Sequence, residues 1–177
     1  IMMNSQELNK FIKENVDKIY DEMVKIRRTI HMNPELGDEE FETSKLIKEF
    51  LAKNNIEFFE IINTGVVATI YNDEKNGKNH TVATRADIDA LPIFEENDVE
   101  YKSKNLGKMH ACGHDTHTTI QLGVAKVLAE NKDKWNGTVR FFFQPAEETD
   151  GGADRMIKGG ALKFEKRSAG NSDFEDK

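Results

Sequence analysis

The run Val139-Arg140-Phe141-Phe142-Phe143 constrains the fold more than any other stretch of the chain. Successive side chains of a β-strand point to opposite faces. Three adjacent phenylalanines in a strand over 138–143 therefore imply burial on both faces, and a strand covered on both sides needs layers above and below it. Asn136-Gly137 turns the chain into this strand and Gln144-Pro145 ends it.

The rest of the sequence supplies the layers. Leu8, Phe11, Ile12, Val16, Ile19, Met23, Ile26 and Ile30 recur at three- and four-residue steps, which predicts an amphipathic helix over 6–32 with Ser5 as its N-cap. Asn33-Pro34 stops it, because a residue before proline is pushed out of the α region. A second helix is expected over 39–53, with Phe41, Leu46, Phe50 and Leu51 near one face. Strands follow at 56–62, 66–71 and 80–86, with a polar loop at 72–79 between the last two. Residues 94–109 are polar and aperiodic, and long loops in compact domains are often functional. A helix over 114–131 carries Ile120, Leu122, Val124, Ala125, Val127 and Leu128, and a short helix ends near Gly159-Gly160. Strands alternating with helices, without internal repeats, give an α/β layer fold. Of residues 163–177, eight are charged and the apolar ones show no period, which reads as a loosely held tail.

Charge narrows the range of partners. The net charge of −7 gives the chain no electrostatic reason to seek nucleic acid or anionic lipid. No apolar run approaches the ~18–20 residues of a membrane span, and the first residues lack a basic patch followed by an apolar stretch. The single cysteine, Cys112, makes no intrachain disulfide, which fits a reducing, cytoplasmic setting.

That cysteine lies in the densest chemical feature, His110-Ala111-Cys112-Gly113-His114-Asp115-Thr116-His117. Three of the five histidines fall within these eight residues, and thiolate and imidazole suit first-row divalent metals. Gly113 permits the tight backbone that would turn both donors to one point. The cluster enters a helix, where backbone N–H groups lower a thiol pKa. A second feature, Glu147-Glu148, follows the apolar strand at the kind of strand end where α/β sites form. Two such acids can divide metal binding and proton transfer, although alone they read more readily as an acidic loop capping the next helix. A third, Asp87 and Asp89 at i and i+2, shares one face and can orient a ligand histidine; alone it reads as a strand-end cap.

Arg85-Ala86-Asp87-Ile88-Asp89-Ala90-Leu91-Pro92, the His110 to His117 run and Gln144-Pro145-Ala146-Glu147-Glu148 through Ala153, in this order and spacing, resemble the metal-dependent aminoacylase and amidohydrolase family. Arg27-Arg28 through Asn33-Pro34-Glu35-Leu36-Gly37 matches its usual start. The family includes N-acyl-amino-acid amidohydrolases, hippurate hydrolases and auxin-conjugate hydrolases. The resemblance implies a mixed central sheet flanked by helices in a zinc-peptidase-like catalytic domain. It implies that 1–162 are the N-terminal part of that domain, truncated, with 163–177 a charged tail. It implies hydrolysis of N-acyl amino acids or related small amides by metal-activated water, with one or two divalent ions (Zn, Mn, Co or Ni). Residue by residue, Cys112, His114 and Glu148 match metal ligands and Glu147 the general base. Asp87, Asp89, His110 and His117 match supporting positions.

The sequence also departs from the family. Members are about twice as long, carry an inserted smaller domain, and supply further histidines after it; here no histidine follows His117. Three ligands plus water suit one ion rather than a pair. An unfinished sheet is expected to expose an edge and apolar surface. Three readings stay open. One is an amidohydrolase that is longer, or completed by a homodimer partner or a missing C-terminal half. Another is a metal-binding remnant without turnover. The third is a redox switch on Cys112, for which the chain holds no resolving cysteine.

Overall fold

The computed structural model describes residues 3–72, 80–149 and 151–163. The predicted loop at 73–79 and the tail beyond 163 lie outside these residues. Helix α1 (Ser5–Met32) starts one residue earlier than predicted, because Asn4 rather than Ser5 is its cap. The Asn4 side chain accepts the Gln6 and Glu7 N–H groups, and the Glu7 carboxylate reaches back to the Asn4 N–H at 2.9 Å. Helix α2 (Phe41–Lys53), strands β1 (Glu57–Ile61), β2 (Gly65–Asn72) and β3 (Thr81–Asp87), and helix α3 (His114–Glu130) follow. A 3-10 turn (Lys132–Lys134), strand β4 (Gly137–Gln144) and helix α4 (Gly152–Lys158) complete the order.

The sheet is mixed, in the order β1-β2-β4-β3. β1 and β4 both run antiparallel to β2, while β3 runs parallel to β4 with Asp87 opposite Gln144. β4 is central, as its sequence requires. Phe141 and Phe143 are fully buried on one face, against Ile47, Phe50 and Leu51 of α2 and Leu122 and Ala125 of α3. Burying each phenylalanine contributes about 2–3 kcal/mol. Phe142 points the other way and packs on a smaller cluster of Ile61, Val67, Met156 and Ala161, which brings in α4.

Two expectations need correction. The apolar stripe of α1 is buried only toward its C-terminal half: Ile19 and Ile30 are covered, whereas Leu8, Ile12 and Val16 are 45–47% exposed. These residues, with Ile120 and Val124 of α3, line an open apolar groove of about 960 Å³. Phe41 is also exposed, and Ile47 takes its place in the core. Helical periodicity identifies which side chains share a face but not whether another element covers it. Among the described residues β1 and β3 are the sheet edges, and β3, beside β4, exposes Val82.

Candidate metal centre

The parallel pairing of β3 and β4 brings their carboxyl ends to one edge of the sheet. Asp87 ends β3, Asp89 follows it, and Glu147 and Glu148 lie just beyond β4. The chain turns sharply there. Ala146 adopts φ 51°, a left-handed conformation unfavourable for a side-chain-bearing residue. Its N–H is held by the buried Glu40 carboxylate at 2.8 Å, which also accepts the Thr64 hydroxyl at 2.7 Å. Gly152 closes the turn: a Cβ there would stand 1.8 Å from the Pro145 carbonyl oxygen, so α4 packs this closely only with glycine.

The first turn of α3 enters the same edge. Gly113 precedes it with φ 94°, the left-handed region that glycine adopts readily. Thr118 donates its hydroxyl to the Asp87 carbonyl at 3.0 Å, and the Gln121 amide donates to the Phe142 carbonyl at 2.9 Å. His114 is buried, with Nδ1 2.8 Å from the Asp89 carbonyl oxygen and 3.1 Å from Asp89 Oδ1. Two acceptors at Nδ1 place the ring hydrogen there, which leaves Nε2 as the nitrogen that could coordinate an ion. Nε2 lies 3.7 Å from Glu148 Oε1, 3.9 Å from Glu147 Oε2 and 3.5 Å from Asp87 Oδ2.

Ligand atoms of Cys112, His114 and Glu148 lie within 4.8 Å of one another. Asp87, His114 and His117 form a second such set. Both use the single available nitrogen of His114, so these two sets cannot each hold an ion through that atom at the same time. The donors fit a first-row divalent cation, combining one sulfur, one imidazole and carboxylates.

Carboxylates set the electrostatics of this cluster. Burial lowers the His114 pKa, but the Asp89 hydrogen bond and the Asp87 and Asp89 charges outweigh it and hold it above its usual value. Burial raises Asp89, but the His114 bond and the Glu148 and Glu147 N–H groups bring it below the usual range. The Cys112 thiol moves opposite to the helix-entry expectation. Its hydrogen bond to Glu148 pushes it up, together with the surrounding carboxylates. Nearby full charges outweigh the partial charge of a helix end, and a bound cation reverses their effect by favouring thiolate.

The supporting residues separate. Asp89 orients His114 and accepts the Glu148 N–H at 2.9 Å. Asp87 pairs with His117 Nδ1 at 2.7 Å and with Arg85 at 2.9 Å. His110 is buried with neither ring nitrogen hydrogen-bonded among the described residues, and burial brings its pKa down to about 4.

Sequence reading missed Glu40 and a second polar cluster. His31 Nδ1 meets Asp115 Oδ2 at 2.7 Å and its Nε2 meets Glu95 Oε1 at 2.9 Å. Although burial opposes it, the His31 bond, helped by the Ser103 N–H and Asn97, brings Glu95 down to about 2 from 4.5. A depressed acid contributes stability above its unfolded pKa, and that contribution is lost as pH falls from about 4.5 toward 2. Glu95→Gln should therefore lower stability at neutral pH by on the order of 1–3 kcal/mol and flatten its dependence over that acid range. Urea midpoints across a pH series read both effects; a wild-type slope in the variant removes Glu95 as its source.

Residues 83–172 match a sequence model of Peptidase family M20/M25/M40. The chain is 50% identical over 160 residues to thermostable carboxypeptidase 2 of Saccharolobus solfataricus, covering 88% of this chain and 40% of the relative. It is 52% identical over 147 residues to IAA-amino acid hydrolase ILR1-like 2 of Arabidopsis thaliana, covering 82% and 33%. It thus spans two fifths or less of these relatives. Among solved structures, the Bacillus subtilis YXEP protein, a dinuclear metal-binding peptidase from the M20 family, superposes with a TM-score of 0.76 at 40% identity, over 83% of this chain and 41% of that one. The aminobenzoyl-glutamate utilization protein of Klebsiella pneumoniae shares the fold at TM-score 0.67 and 24% identity, over 85% and 43%.

Proposed function

Since the chain belongs to peptidase family M20/M25/M40, we propose that it carries the N-terminal part of a metal-dependent hydrolytic site acting on the amide bond of N-acyl amino acids or related small amides. One observation supports this most: a thiol, an imidazole and a carboxylate from separate segments converge within 4.8 Å beside a second carboxylate. Residues 1–162 are the N-terminal part of the catalytic domain in this reading. Cys112, His114 and Glu148 are the ligands and Glu147 is the general base.

A divalent cation bound there supplies acidification of a water and polarisation of the amide carbonyl. Glu147 takes the water proton and returns it to the leaving amine nitrogen. Asp89 keeps the His114 ring in the tautomer that presents Nε2, and Asp87 keeps His117 turned toward the same edge. The name of the Arabidopsis relative supports an amide-linked amino acid as substrate.

The chain spans two fifths or less of these relatives, and a metal-binding remnant without turnover is the second reading of the same ligand set. The purified chain, supplied with Mn²⁺, Co²⁺ or Zn²⁺, should hydrolyse N-acetyl and N-benzoyl amino acids very weakly or not at all, while still binding metal. Robust turnover by this chain alone overturns the requirement for further ligands. Fusion to the remaining length of the Saccharolobus relative separates the readings. Restored hydrolysis supports the enzyme, and a folded, metal-loaded but inactive fusion supports the remnant.

A further inference from the structure

The first turn of α3 is held at His114 by Asp89 and at His117 by Asp87. Gly113 caps it without a side chain, and its left-handed backbone is easily remodelled. A further anchor comes from the last turn of α1. Asp115, fully buried, donates nothing: its Oδ1 accepts the Thr116 N–H at 2.8 Å, and its Oδ2 faces His31 Nδ1 at 2.7 Å and Arg27 Nε at 3.0 Å. On the far side of the imidazole, Glu95 faces Nε2 and accepts the Ser103 N–H at 2.6 Å. The Tyr101 ring stands edge-on to His31 at 5.6 Å. One imidazole thus joins the last turn of α1, the loop around 95–103 and the first turn of α3.

Burying two carboxylates around one histidine is an inefficient way to gain stability, because desolvation offsets much of the attraction. Such a cluster does fix orientation, since each donor has one partner at one angle. Asp115 is the residue next to His114, so holding its side chain fixes the rotation of the turn that aims Nε2.

We propose that His31, with Glu95 behind it, is a positioning residue for the metal-binding turn, acting through Asp115 without touching the ion. This rests on the reading of Cys112, His114 and Glu148 as ligands.

Two readouts test it, in wild type, His31→Gln and Glu95→Gln. The first is Co²⁺ affinity, followed through the thiolate-to-cobalt absorption of Cys112. The second is amide exchange of residues 114–118 in metal-free protein. His31→Gln should weaken cobalt binding about tenfold, the scale of losing an outer support of a ligand. It should also speed exchange at 114–118. A merely structural role lowers overall stability without changing the affinity of the molecules that remain folded. Wild type in urea, adjusted to the stability of the variant, is therefore the control and should keep its affinity. Unchanged affinity and exchange in His31→Gln overturn the proposal, as does an equal loss in the urea control. Absence of cobalt absorption in wild type overturns the ligand reading instead, and faster exchange in His31→Gln still supports the positioning role.

Discussion

Replacing His114 with alanine is expected to abolish divalent-ion binding and to destabilise the protein in the same step. The ring is 2% exposed and lies between two acids. Removing it takes away the nitrogen shared by both candidate ligand sets. It also leaves Asp89 buried without its imidazole partner, facing the Glu148 and Glu147 N–H groups. Breaking a buried pair from one side costs about 3–5 kcal/mol, because the other charge stays in place unpaired. Cys112→Ala provides the contrast. The thiol is exposed, so binding should be lost with a stability change within about 0.5 kcal/mol. Cobalt titration and urea unfolding on both variants measure the two effects separately. Wild-type cobalt affinity in either variant removes that residue from the ligand set.

The contrast between these two proposed ligands also marks what local sequence carries. Cys112, Gly113 and His114 are adjacent, and Glu148 follows a strand whose burial is evident from three phenylalanines. Local pattern therefore locates both halves of the site, and β3 running parallel to β4 joins them. His31 gives no comparable signal. It sits on α1 among residues read as an amphipathic stripe, and its partner Asp115 is 84 residues away. Glu40 holds the Ala146 N–H across 106 residues in the same way. Polar pairings over such separations leave no periodicity, so nothing in a local window marks them. The direction of the Cys112 thiol shift was illegible for a related reason. A helix entry is visible in sequence, but the approach of Glu148 to the sulfur depends on the turn at Ala146.

That turn also sets apart the surroundings of two consecutive acids, and the second large effect follows from the roles proposed for them. The Glu148 N–H is anchored on Asp89 and its side chain is 24% exposed, whereas Glu147 is 38% exposed with an oxygen 3.9 Å from His114 Nε2. Glu147 thus borders the proposed ligand set and keeps access to solvent, as the proposed exchange of protons with water and a leaving amine requires. In a hydrolytically active form, such as the fusion to the remaining family length, Glu147→Gln should lower kcat by about 10²–10⁴-fold, the range a general base supplies. Cobalt affinity should stay within about threefold of wild type, because an amide at this position withdraws no ligand. Glu148→Gln should do the reverse, weakening metal binding about 10- to 100-fold before any effect on the chemical step. Rates measured at saturating metal keep the two apart. Near-normal kcat in Glu147→Gln, with metal bound, would move the proton-transfer role to another group at this edge and leave Glu147 as an exposed acid beside the ligands.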